Sequence, residues 1–120
     1  MSLTSVVPVD QAVELERERE AVVRRIRELR TTFADIAASV DTANTDDEHD
    51  PEGATLAFER AQVVSLLAAA RERLDQLDGA SARIESGTYG TCERCGNGIG
   101  DERLDALPAT RRCIGCAEIR

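Results

Sequence analysis

Apolar residues recur along the first third of the chain in alternating steps of three and four. They fall at Ala12, Leu15, Val22, Ile26, Leu29, Phe33, Ile36 and Val40, with Arg19 in the single polar place of the series. Such an alternation keeps one face of a helix apolar over many turns and forms the a/d seam of a coiled coil. Between the seam positions lie pairs such as Glu16 with Arg19 and Glu20 with Arg24, at spacings where opposite charges meet on a helix surface. Asp10 is placed to cap the start of this helix. The residues before it, 1–9, hold Pro8 and no pattern, and read as a loose tail.

The period stops at Asp41 and resumes beyond Asp50-Pro51, a helix start with Asp50 as cap and Pro51 in the first turn. The second seam runs through Leu56, Arg60, Val63, Leu67, Ala70, Leu74, Leu77, Ser81 and Ile84. Gly79 interrupts it at a cost of about 1 kcal/mol relative to alanine, but the spacing recovers at Ile84, so one helix is expected, with its stop at Gly87. Each helix would be roughly 50 Å long at 1.5 Å per residue. Equal seams joined by a short loop become antiparallel neighbours, giving a rod-like hairpin over 10–86 with the loop 41–52 at its tip. Phe58 falls off the second seam and either wraps over the hairpin end or faces a partner. His49, a lone histidine among acids, reads as a solvated loop residue.

Beyond the second helix, 87–120 reads GTYGTCERCGNGIGDERLDALPATRRCIGCAEIR and contains all four cysteines. Cys92 and Cys95 form one C-x-x-C, Cys113 and Cys116 another, with seventeen residues between the pairs. A two-residue gap lets both sulfurs of a knuckle turn onto one ion, and two such knuckles at this separation are the signature of a tetrahedral zinc site with four cysteine ligands. Two disulfides are the alternative. Met1–Pro8 shows neither a basic n-region nor a long apolar run, so a reduced, cytoplasmic setting is expected, and that favours metal. Four thiolates occupy every coordination position, which makes the zinc structural. The fold class expected is therefore all-α dominated: a long antiparallel coiled-coil hairpin with a small C-terminal four-cysteine zinc-finger module at 87–120.

Charge narrows the partners. The chain carries a net charge of -8, which opposes general attraction to a nucleic-acid backbone. The cysteine segment does not reverse this, since 87–120 has five acids and five arginines; direct sequence-specific DNA binding is not expected of it. No apolar run reaches membrane-spanning length. No nucleophile-base pair or phosphate-cradling loop is evident and the metal site is closed, so an enzyme is not expected. Much of the negative charge sits in 41–52, where there are six acids and no base. An EF-hand does not fit it, because the D-x-D-x-D-G ladder and closing glutamate are absent. A cluster of carboxylates at the end of a stiff arm is either a solvated turn or a probe for a deep, metal-containing cavity.

Taken together, these residues resemble the DksA/TraR family of bacterial regulators. The resemblance rests on Arg83-Ile84, Gly87-Thr88-Tyr89-Gly90, Cys92-x-x-Cys95-Gly96, Ile99, Arg103-Leu104-x-Ala106-x-Pro108 and Cys113-x-x-Cys116. It implies a protein that binds RNA polymerase through its secondary channel. It further implies that acidic tip residues, here Asp46, Asp47, Glu48 and Asp50, come near the catalytic Mg2+ and alter promoter complexes together with the nucleotide alarmone ppGpp. The tip departs from the family's D-x-x-D-x-A. Aligned on Asp50, the second acidic place holds Gly53 and the alanine place Thr55; aligned on Asp47 and Asp50, the alanine place holds Glu52. The incomplete tip leaves a second expectation, a zinc-stabilised coiled-coil adaptor that binds another protein without a direct effect on transcription.

Overall fold

In the computed structural model of the chain the described residues are 9–43 and 51–118, with side chains described for 11–39 and 53–118. Helix α1 spans Val9–Ala43 and α2 spans Pro51–Ser86; of two short pieces, α3, Asp101–Ala106, lies between the cysteine pairs and α4, Ile114–Ala117, holds Cys116 of the second pair. No strand occurs among the described residues, only an isolated antiparallel bridge between Thr91 and Gly98. No described helix is long and apolar enough to cross a membrane.

The expected helices are present, with a difference at each end of α1: it opens at Val9, so Asp10 lies within the helix and not at its cap, and it runs on past the expected stop. α1 continues through Asp41 and Thr42 to Ala43, past the point where the apolar period ends. Nothing in Asp-Thr-Ala breaks a helix, so the backbone outlasts its seam. α2 begins at Pro51, as its fixed φ and missing N–H allow. It passes through Gly79 without a break and stops at Gly87, whose φ is 78°. There Gly87 N–H donates to Ile84 O at 3.3 Å and Thr88 N–H to Arg83 O at 2.9 Å. This is the Schellman pairing, and its left-handed position suits glycine. The expected caps and tip, Asp10 and 44–50 with Asp46, Asp47, Glu48, His49 and Asp50, lie outside the residues whose side chains are described.

The chain divides into two compact units, Ala21–Arg73 and a second made of Met1–Glu20 with Leu74–Arg120. In the first, Leu29 and Ile36 of α1 pack with Val63 and Leu67 of α2, and Ile26, Phe33, Leu56 and Ala70 close around them. All eight are seam positions. The Arg60 guanidinium, a polar residue on the second seam, lies 5.2 Å from the Phe33 ring centroid, where the ring's negative face attracts a cation. Phe58 is 72% exposed and does not fold over its neighbours.

In the second unit, Leu15, Leu77 and Ala80 are completely or almost completely buried. Arg19, the polar place in the first seam, bonds Asp78 at 2.7 Å across the two helices, and that hydrogen bond raises its pKa above the ordinary value. Arg19 of α1 meets Asp78 of α2 in this unit, as Phe33 of α1 meets Arg60 of α2 in the other, so each unit packs the two helices against each other. The burial of Ala80 differs from the expected seam, which steps from Leu77 to Ser81. A methyl side chain beside Gly79 allows close approach, and hydropathy spacing carries no sign of it.

Candidate metal centre

The first knuckle is a tight hairpin. Ile99 N–H donates to Gly90 O at 2.8 Å, Cys92 N–H to Asn97 O at 2.8 Å, and Gly96 N–H to Cys92 O at 3.0 Å. The last bond closes the turn over Cys92-Glu93-Arg94-Cys95, with Gly96 at φ 77°, a conformation that favours glycine. The second knuckle begins one residue before α4, where Ala117 N–H donates to Cys113 O at 2.9 Å and winds Cys116 back toward Cys113. Glu93 N–H donates to Arg111 O at 2.9 Å, and the Arg112 guanidinium meets the Glu93 carboxylate at 3.1 Å. These two links hold the knuckles against each other.

As a result one sulfur from each of Cys92, Cys95, Cys113 and Cys116 lies within 4.8 Å of all the others. The Cys95 and Cys113 sulfurs are 3.8 Å apart. A tetrahedron with Zn–S bonds of about 2.3 Å has sulfur-sulfur edges of about 3.8 Å, whereas a disulfide requires about 2.05 Å. All four thiols are free. The disulfide alternative is therefore not the arrangement adopted, and the four cysteines are positioned to bind one metal ion.

The electrostatics of the cluster agree. Backbone N–H groups of Cys95 and Cys113 point at Cys92 and hold its thiol down to about 6. Cys116 is pushed up to about 12, first by its hydrogen bond with Cys113 and then by burial and the other two thiols. Four sulfurs this close cannot all ionise beside one another unless a cation sits among them, and a divalent ion with four thiolate ligands satisfies that requirement. The donor set fits zinc, and it leaves no position for substrate.

The module buries apolar residues of its own. Tyr89, Ile99, Leu104 and Ala109 are buried together with Cys92 and Cys116. The Tyr89 hydroxyl donates to Pro108 O at 2.8 Å, and burial raises its pKa above the ordinary phenol value. Arg103 reaches Arg112 O at 2.9 Å. Arg83, in the last turn of α2, donates to Ala109 O at 3.1 Å and more weakly to Thr110 O at 3.5 Å. Its burial and nearby Arg111 lower its pKa. The segment 107–110 is thus a strap tied from both sides. Sequence spacing named the four sulfurs but not the strap, because its acceptors are main-chain carbonyls that no residue type announces.

These features define a four-cysteine zinc-finger module joined to two long antiparallel helices. Residues 87–120 match the family model of the prokaryotic dksA/traR C4-type zinc finger. The similarity to the DksA/TraR family model thus lies in the zinc-finger segment. The chain is 56% identical over 45 residues, 38% of this chain and 31% of the other, to an uncharacterized protein of Aquifex aeolicus (strain VF5). It is 42% identical over 62 residues to the uncharacterized protein YteA of Bacillus subtilis (strain 168), covering 52% of this chain and 26% of YteA. General stress protein 16O of the same bacterium is 33% identical over 72 residues, 60% of this chain and 44% of that protein. The chain therefore matches less than half the length of each of these relatives. Its fold is similar to that of the transcription factor DksA2 from Pseudomonas aeruginosa, with a TM-score of 0.54 and 24% identity over 88% of this chain and 81% of that one.

Proposed function

We propose that this chain is a bacterial transcription regulator of DksA/TraR type that binds RNA polymerase through its secondary channel, works in the cytoplasm and is not itself an enzyme. One structural zinc ion per chain holds the 87–120 module together, and the hairpin 10–86 carries the acidic tip. The observation that carries the proposal is the complete family zinc finger joined to two long antiparallel helices, in a fold similar to that of a transcription factor. A closed set of four cysteine ligands supports a structural role for the metal, and in this reading the activity lies in what the protein binds. In this reading the helices and the module supply affinity, the tip carboxylates supply the effect on promoter complexes, and ppGpp acts at the polymerase interface.

The test is a titration of zinc-loaded protein against cognate core RNA polymerase, with and without an agent that occludes the secondary channel. The expected result is binding that occlusion abolishes. Asp50→Asn keeps the size and capping ability of the side chain, so it should leave affinity near wild type while changing the lifetime of promoter complexes; Asp47→Asn tests the other register of the tip. Binding indifferent to occlusion, with both variants silent in every transcription readout, would transfer the case to the adaptor reading.

A further inference from the structure

Within the Ala21–Arg73 unit an open groove of about 370 Å³ runs between the helices. It is lined by Arg30 and Phe33 of α1 and by Val64, Leu67, Ala68 and Arg71 of α2. The α2 residues stand at i, i+3, i+4 and i+7 and therefore form one stripe. Leu67 turns into the core, but Val64 remains 50% exposed, so apolar surface is left open after the two helices have packed. Arg30 and Arg71 are exposed on the rims and make no ion pair or side-chain hydrogen bond among the described residues. Over 21–39 and 53–73 there are seven arginines against four acids, in a chain whose net charge is -8. The other six acids of this unit fall in 41–52, so the positive excess belongs to the two helix segments that border the apolar slot, not to the unit as a whole.

We infer that this groove docks an amphipathic helix of a partner protein, with apolar anchors along one face and carboxylates along its edges. A slot between two helices accepts a third by packing ridges into grooves, and the i, i+3, i+7 stripe is the counterpart of a helix-in-groove ligand. The guanidinium forks of Arg30 and Arg71 select carboxylates at the flanks. A second copy of the chain is the wrong occupant. Placing groove against groove would set these arginines against themselves, and 42–50, in the acidic stretch of another copy, has no apolar residue larger than Ala43 to fill the slot. Nucleic acid is disfavoured by the apolar lining, which offers no row of cations to follow a backbone. The groove lies on the helices to which the polymerase proposal assigns affinity, but its test uses an isolated peptide and no polymerase, so either reading can fail while the other stands.

The probe is a synthetic helical peptide with leucines at i, i+4 and i+7 and glutamates beside them, titrated into zinc-loaded full-length protein with amide chemical shifts as readout. The expected result is a set of shifts confined to the region of Arg30, Phe33, Val64, Ala68 and Arg71. Arg30→Glu with Arg71→Glu should weaken binding about tenfold, equivalent to about 1.4 kcal/mol. A peptide with lysines in place of the glutamates tests the same point on unaltered protein and should bind at least as weakly. Shifts elsewhere, or equal binding of the lysine peptide, would overturn the inference. So would a single-stranded oligonucleotide that displaces the acidic peptide, or a sedimentation-detected dimer that the double variant dissolves.

Discussion

Arg83 is the residue whose removal should reveal how α2 is coupled to the metal centre. Its carbonyl takes the two N–H groups that close the helix, Thr88 at 2.9 Å and Tyr89 at 3.1 Å. Its guanidinium crosses to Ala109 O at 3.1 Å and Thr110 O at 3.5 Å. One side chain therefore spans from the end of α2 to the strap that precedes Cys113. Arg83→Met keeps the apolar stem and deletes the donors. A hydrogen bond from a charged donor is worth about 1.5–3 kcal/mol. The 3.5 Å contact adds little, and the site is only partly buried, so the lower end, about 1.5 kcal/mol, is the reasonable expectation. Converted at 1.4 kcal/mol per factor of ten, a fully coupled latch would make zinc about tenfold easier to remove. The assay is the rate and midpoint of zinc transfer to a chromogenic chelator, with the melting temperature of the loaded protein measured alongside. Arg83→Lys, which retains charge and one donor direction, should fall between. If Arg83→Met released zinc as slowly as wild type and melted at the same temperature, the latch would be energetically idle, and the strap would be held by Tyr89 and Arg103 alone.

Three other outcomes follow from the same geometry. Cys95→Ser should lower the zinc content of purified, reduced protein from one ion per chain, measured by native mass spectrometry, and should open 87–118 to protease, because a structural site couples metal to folding; full zinc occupancy and unchanged protease resistance would count against the four-sulfur site. Tyr89 is the only tyrosine, so phenolate absorbance reports it alone. Its raised folded pKa means that its contribution to stability is complete below about pH 10, the ordinary value, and is lost as pH rises through the folded value; in urea the titration should return to about 10. Leu15→Ala, at a site with 1% exposure, should cost about 3 kcal/mol in denaturant unfolding, whereas Val13→Ala, 43% exposed, should cost much less.

The seams were legible because burial on a helix repeats at a fixed angle. Leu15, Leu29, Ile36, Val63, Leu67 and Leu77 are all buried, and all were marked by the alternation of three and four. Arg19 looked like a flaw in that series because its partner, Asp78, is distant in sequence; naming the pair requires the register between helices, which spacing within one helix does not contain. Gly79 read as a local weakness, and the structure supplies a reason for it. A Cβ there would come within 3.3 Å of an Arg83 guanidinium nitrogen, so the glycine leaves room for the side chain that reaches the strap. The four sulfurs were legible from spacing. The residues quoted with them, Tyr89, Ile99, Leu104 and Pro108, prove to be the core and strap that position the knuckles. Sequence alone named these residues without assigning their work, because that work lies in burial and in carbonyl acceptors.

The arginines of the module and of the helix turn that leads into it bear on what kind of surface the module presents. Zinc fingers that read nucleic acid keep cations free for phosphate and base edges. Here Arg83 is turned onto Ala109 and Thr110 carbonyls, Arg103 onto the Arg112 carbonyl, and Arg112 onto the Glu93 carboxylate. Three of the cations that charge alone would assign to a phosphate backbone are thus engaged in holding the two knuckles and the strap in place. Freeing them for a nucleic acid would loosen the contacts that set the sulfur positions, so the module's fold and phosphate binding compete for the same side chains. What the module leaves exposed includes apolar surface, with Leu107 49% and Ile114 64% exposed beside the strap and the second knuckle. A surface with three internally bonded arginines and uncovered aliphatic side chains has the mixed polar and apolar character of protein-contact surfaces, which is the kind of contact proposed above.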